Sequence, residues 1–199
     1  MPRATHTSSS NINEHVALIH RQVLKSLEDA ELRQLVVKIV SDSYEWRMNP
    51  RSGRQEPYIV AWGKQFKAPP DLPCEPRDAE CELAKIWNFV VLNVRYVYDP
   101  VTIDTFATAK ETLLAGGGDC DDLDILFEAM LHIIGFATKA RVVSVTASPN
   151  DWVHVYPLAG LPKDNPTLWM PLDSTVTGAE PGWEYPDIAK RKDFAFRGA

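Results

Sequence analysis

No stretch of this chain holds the roughly 18 consecutive apolar residues that a membrane-spanning helix requires, so no such helix is expected. The opening residues, Met1-Pro2-Arg3-Ala4-Thr5-His6-Thr7-Ser8-Ser9-Ser10, lack the apolar segment of a secretory signal. They are expected to form a flexible tail on a cytoplasmic protein. Positive charge is in deficit: 21 Lys and Arg stand against 27 Asp and Glu, for a net charge of −6. Nucleic acid bound through its phosphates is therefore not an expected partner, and neither is a membrane. Cysteine is scarce, with only Cys74, Cys81 and Cys120. That count excludes a disulfide scaffold, and without an export signal all three are expected as reduced thiols. No CxxC spacing joins them and no second histidine stands at ligand spacing from His154, so neither a metal nor a cofactor is expected. What is present is a globular composition, 45% hydrophobic and 24% charged, over 199 residues, which suits one domain or one domain with an extension.

The helical period dominates the first half. Val16, Ile19, Val23 and Leu27, then Leu32, Leu35, Val36, Ile39 and Val40, predict helix over 12–46. Ser26 with Asp29 resembles a capping box, so two helices are expected to meet near 26–29. Residues 47–77 are broken by Pro50, Pro57, Pro69, Pro70, Pro73 and Pro76 and read as a surface excursion. Within it, Tyr58-Ile59-Val60-Ala61-Trp62 reads as a strand or a packed loop. Helix returns over 78–95 with the stripe Leu83, Ile86, Trp87, Val90, Val91 and Val94, opened by Asp78 and stopped by Asp99-Pro100. Thr108 with Glu111 predicts a short helix over 109–115. A helix over about 120–134 follows, ending at Gly135. Strand texture occupies 139–147, 152–158 and 167–173, and the last residues, 178–199, read as irregular. Helices first and closely spaced strands afterwards indicate an α+β fold with an antiparallel sheet.

Cys120 stands where Gly116-Gly117-Gly118-Asp119 passes into a helix. Unpaired N–H groups and partial positive charge at a helix N-terminus favour a thiolate and can bind an oxyanion. Asp119, Asp121, Asp122 and Asp124 oppose this by crowding the thiol with negative charge, and they are read as first-turn acids matched to the helix dipole. A useful nucleophile here needs a basic partner. His6 lies in the tail, His15 and His20 on the first helix, and His132 too far along the Cys120 helix, which leaves His154 on a strand. Asp173, at the end of the next strand, can orient the imidazole. Each residue has a plainer role open to it: a small buried hydrophobe for Cys120, a strand residue for His154 and a turn cap for Asp173.

Four segments together resemble the transglutaminase-like superfamily, a branch of the papain-like cysteine enzymes. Gly117-Gly118-Asp119-Cys120-Asp121-Asp122 resembles its nucleophile motif, Trp152-Val153-His154-Val155 its histidine motif, and Trp169-Met170-Pro171-Leu172-Asp173-Ser174-Thr175 its aspartate motif. Asn93-Val94-Arg95-Tyr96-Val97-Tyr98-Asp99-Pro100 resembles the segment before the nucleophile in small bacterial and phage members, and the doubled acid after the cysteine is most like phage-encoded versions. The resemblance implies a core over 78–176, preceded by a tail (1–10) and a helical extension with its Pro-rich excursion (11–77), and followed by an irregular segment (177–199). It implies Cys120 as nucleophile, His154 as general base and acid, Asp173 as its orienting partner, and thioester chemistry at an amide. The backbone N–H of Cys120 is the expected oxyanion donor. Gly118, Asp119, Tyr96 and Trp152 are expected to shape the site, with Tyr96 or Trp62 as a second donor. The expected partners are a protein or peptide substrate and, for a phage-encoded chain in host cytoplasm or virion, phage structural proteins. The alternative is a non-catalytic virion or assembly module on the same fold.

Overall fold

The computed structural model describes residues 4–6, 11–70, 72, 74–75, 77–98 and 104–196. In chain order its elements are β1 (Ala4–His6), α1 (Ile12–Leu27), α2 (Ala30–Val40), β2 (Glu45–Met48), β3 (Gln55–Ala61), β4 (Lys64–Lys67), α3 (Ala79–Asn93), β5 (Arg95–Tyr96), β6 (Asp104–Phe106), α4 (Ala109–Ala115), β7 (Gly117–Gly118), α5 (Cys120–Ile133), β8 (Thr138–Val145), β9 (His154–Leu161), β10 (Leu168–Pro171) and β11 (Ile188–Ala195). The order of helices followed by an antiparallel sheet is the expected α+β arrangement.

The break between α1 and α2 falls where expected, with a different chemistry. Asp29 is the N-cap of α2, its Oδ1 accepting from Glu31 N (2.8 Å) and Leu32 N (3.0 Å). Ser26 is no cap. It lies inside α1, donating to the Gln22 carbonyl (2.7 Å) and accepting from Ala109 N (2.9 Å). Helix also stops at Val40 rather than 46, because the chain turns at Ser41 and Asp42 and enters β2.

The Pro-rich excursion contains an antiparallel sheet in the order β2-β3-β4, so Tyr58 to Ala61 is strand and not loop. Its Ile59, Ala61 and Phe66 enter the main core. The turn between β3 and β4 is Trp62-Gly63, both at positive φ (48° and 71°), as a two-residue hairpin requires. Cys74 and Cys81 are bonded to each other, with Cα atoms 5.8 Å apart, which corrects the expectation of reduced thiols. The disulfide ties the excursion to the first turn of α3, where Asp78 caps the helix by accepting from Cys81 N (3.1 Å). Helix α3 ends at Asn93, while Asp99 and Pro100, expected to stop it, lie outside the described residues. Val91, expected in its apolar stripe, is exposed.

Helix α5 runs through the centre of the molecule. All residues from Asp121 to Leu131 are buried, with α1, α3 and α4 on one side and β8 and β9 on the other. The sheet order is β10-β9-β8-β11, antiparallel throughout. The C-terminal stretch is thus not wholly irregular, since Ile188–Ala195 forms the edge strand beside β8. The expected tail is also structured in part, since Ala4–His6 pairs antiparallel with β6; Met1 to Arg3 and Thr7 to Ser10 lie outside the described residues.

Candidate active site

The start of α5 is built by two close approaches. Gly116 closes α4 at φ 71°, a left-handed cap that glycine occupies without strain. At Gly118 a Cβ would come within 2.5 Å of Asp122 Cβ, so only a bare backbone fits against the helix. Parallel pairing of β5 with β7 sets Tyr96 opposite Gly118. Asp119 is the N-cap, accepting from Asp122 N (3.2 Å), and Cys120 follows, partly buried, as the first helical residue. The doubled acid after it faces two ways. Asp122 Oδ1 accepts from Ala107 N (2.7 Å), fastening the segment before α4, whereas Asp121 Oδ1 meets His15 Nε2 on α1 (2.8 Å). These specific partners come in addition to the expected place of Asp121 and Asp122 in the first turn, where their charge suits the helix dipole.

His154 opens β9, and its Nε2 lies 2.8 Å from Asp173 Oδ2. Asp173 is 1% exposed, and its other oxygen accepts from Thr175 Oγ1 (2.7 Å) and Thr175 N (3.2 Å). Burial works to raise the Asp173 pKa, but the hydrogen bond and charge of His154 and the Thr175 hydrogen bonds outweigh it and hold the acid below its ordinary value. An ionised carboxylate only accepts, so His154 Nε2 carries the proton and Nδ1 is the basic nitrogen of the neutral ring.

The sheet brings the cysteine to this pair. β9 extends past β10, where Pro171 pairs with Leu158 and the last bond runs from Leu172 N to the Pro157 carbonyl (2.9 Å). Two residues earlier, Val155 directs its N–H to the same edge with no β10 strand opposite. That N–H acts on the Cys120 thiol, lowering its pKa. The nucleophile candidate therefore lies near the start of β9, the strand that His154 opens.

The family model of the transglutaminase-like superfamily matches residues 73–174, just over half of the chain. The chain belongs to the transglutaminase-like superfamily. No curated protein and no solved structure matches it. A transglutaminase-like domain points to cysteine-dependent amide chemistry in general, and the match covers Cys120, His154 and Asp173 but neither α1 nor β11.

Within this transglutaminase-like domain the thiol is not acidic at rest. Burial pushes the Cys120 pKa well above its ordinary 9.0, and Asp121 and Asp119 push it further, against the Val155 and Asp121 N–H groups that lower it. The helix terminus does not overcome these effects. Tyr96 shares the pocket: burial raises its pKa, followed by the nearby charges of Cys120, Tyr98, Asp119 and Asp121, so its hydroxyl stays protonated. Trp152 packs against the main core. Trp62 is excluded as an oxyanion donor because its backbone N–H goes to Glu31 and its indole N–H to Asp29 at the start of α2.

Sequence reasoning missed two features of this transglutaminase-like chain. One is His15 at the Asp121 carboxylate. The other is a buried polar chain further along α5, in which Thr138 Oγ1 donates to Glu128 Oε1 and meets His132 Nε2 (2.8 Å each), with His20 Nε2 3.8 Å from Glu128 Oε2. A signal existed: Asp121, Asp124 and Glu128 recur at helical spacing on a helix with no Lys or Arg, opposite a first helix bearing two histidines. Such a stripe ordinarily marks a solvated face, and here α1 covers it.

Proposed function

We propose that this protein performs cysteine-dependent acyl transfer or hydrolysis at amides of a protein or peptide, through a Cys120–His154–Asp173 triad and a thioester intermediate. The reading is carried by one observation: a fully buried, ionised Asp173 held at 2.8 Å on His154, at the start of the strand whose Val155 N–H lowers the Cys120 pKa. Because the thiol rests protonated, attack and deprotonation are coupled. As Sγ bonds to the substrate carbonyl carbon, its proton passes to His154 Nδ1 and the carbonyl electrons move to oxygen. The Cys120 backbone N–H at the start of α5 supports that oxyanion. Collapse breaks the C–N bond, and the departing amine takes the proton from Nδ1. Water or a second amine then attacks the thioester, giving its proton to His154 and returning the thiol. Asp173 keeps Nδ1 directed at the chemistry and balances the imidazolium that forms in each half. A non-catalytic assembly module has no use for an aspartate buried and ionised against a histidine, so the enzyme reading is preferred. The test is mass-spectrometric trapping of an acyl group on Cys120.

A further inference from the structure

Asp121 Oδ1 is an atom at which two parts of the chain meet. It lies 3.9 Å from Cys120 Sγ and 2.8 Å from His15 Nε2. His15 belongs to α1, outside the residues that match the family. The carboxylate accepts, so the proton between them belongs to Nε2. The His15 ring stands edge-on to the fully buried Phe106, with centroids 5.0 Å apart. Ser26 and Ala109 fix α1 along its length, as does the approach of His20 to Glu128. The Asp121 side chain is 6% exposed, so water screens its charge poorly.

The groups that act on the thiol are Asp119 and Asp121 from the start of α5, Tyr96 from β5 and the Val155 N–H from β9; His154, bonded to Asp173, precedes Val155 on that strand, and Asp124 interacts with Asp121 one turn along. The carboxylates beside the sulfur resist loss of its proton. Asp121 Oδ1, which the thiol itself approaches at 3.9 Å, is also bonded by His15.

We propose that His15 is a positioning residue for Cys120: by donating to Asp121 Oδ1 it holds that carboxylate and withdraws part of its charge from the sulfur, easing transfer of the thiol proton to the base. The proposal rests on the reading of Cys120 as nucleophile, and it gives the N-terminal helix a share in the site.

The experiment is the pH profile of Cys120 alkylation by iodoacetamide, followed by mass spectrometry on the full chain. His15→Ala is expected to react about tenfold more slowly than wild type at any pH below the thiol pKa. His15→Gln, which keeps an N–H donor, is expected between the two. Asp121→Asn is expected to react faster than wild type, and adding His15→Ala to it to change the rate by less than about twofold. A rate for His15→Ala within about twofold of wild type overturns the proposal, as does an equal slowing on the Asp121→Asn background. Faster alkylation in His15→Ala also overturns it, since that marks an α1 that merely shields the thiol. Should His15→Ala fail to fold, His15→Gln with and without Asp121→Asn carries the same decision. No substrate enters this measurement, so failure to find an acyl-enzyme would sink the amide reading and leave this result standing, and the reverse also holds.

Discussion

Cys120 sits between opposed fields. Helix-terminal N–H groups favour its thiolate, while burial, Asp121 and Asp119 favour its thiol and prevail. In the proposed mechanism a resting thiol needs a base, and Asp173 sets the tautomer of that base. Asp173→Asn replaces an acceptor with a group that can donate to Nε2, which would move the imidazole proton to Nδ1, where the base is needed. Turnover is predicted to fall on the order of 10²–10⁴-fold, while Cys120 alkylation without substrate changes little; undiminished kcat in this variant would show that Asp173 serves only the fold. The elements that carry the three candidate residues were legible in sequence because each has a local sign: glycines before a helix for Cys120, and strand texture leading into or following His154 and Asp173. His15 and the separate tasks of Asp121 and Asp122 were not, because their partners lie 106 residues away for Asp121 and 15 for Asp122.

Among the elements, those announced by side-chain chemistry at their own ends were readable. Asp78 and Asp119 cap α3 and α5, and Thr108 with Glu111 forms the capping box of α4. Strand β11 was not readable. Most of its residues are exposed, so it has no alternating apolar face, and it is held by its ladder with β8 and by Arg141 paired to Asp193 at 2.7 Å. The strands β2 to β4 were obscured because prolines mark breaks without saying what pairs between them. The junction of β7 with α5 is the tightest of these connections. Gly118→Ala would drive a methyl into Asp122 and through it disturb the Ala107 contact. Chemical denaturation is predicted to show a loss of about 1–3 kcal/mol; a variant as stable as wild type would mean that the junction yields freely.

Across the whole molecule, the transglutaminase-like core encloses ionisable groups that tie α1, α5 and β8 together. Burial lifts the Glu128 carboxyl from 4.5 to about 8 against the Thr138 hydrogen bond, and burial with the Glu128 and Asp121 charges lifts Asp124 well above its ordinary value. Burial lowers His20, and burial with the His20 charge lowers His132 from 6.5 to about 4. A raised carboxyl pKa means that the folded chain keeps a proton the unfolded chain releases, so rising pH destabilises the fold between about 4.5 and 8. The lowered histidines act in the opposite sense, but only below about 6.5. Stability is therefore predicted to decline between pH 6.5 and 8, by about 2 kcal/mol for the Glu128 site, with Tm falling in parallel. Glu128→Gln should flatten this slope, and an unchanged slope would assign it to other groups. The central claim is the chemistry of Cys120, and intact-mass and peptide mapping after incubation with a panel of glutamine-containing peptides addresses it most directly. A hydroxylamine-labile acyl adduct on Cys120, absent from Cys120→Ala, is the predicted result. Amide turnover by Cys120→Ala equal to wild type, or an adduct on another residue, would contradict it.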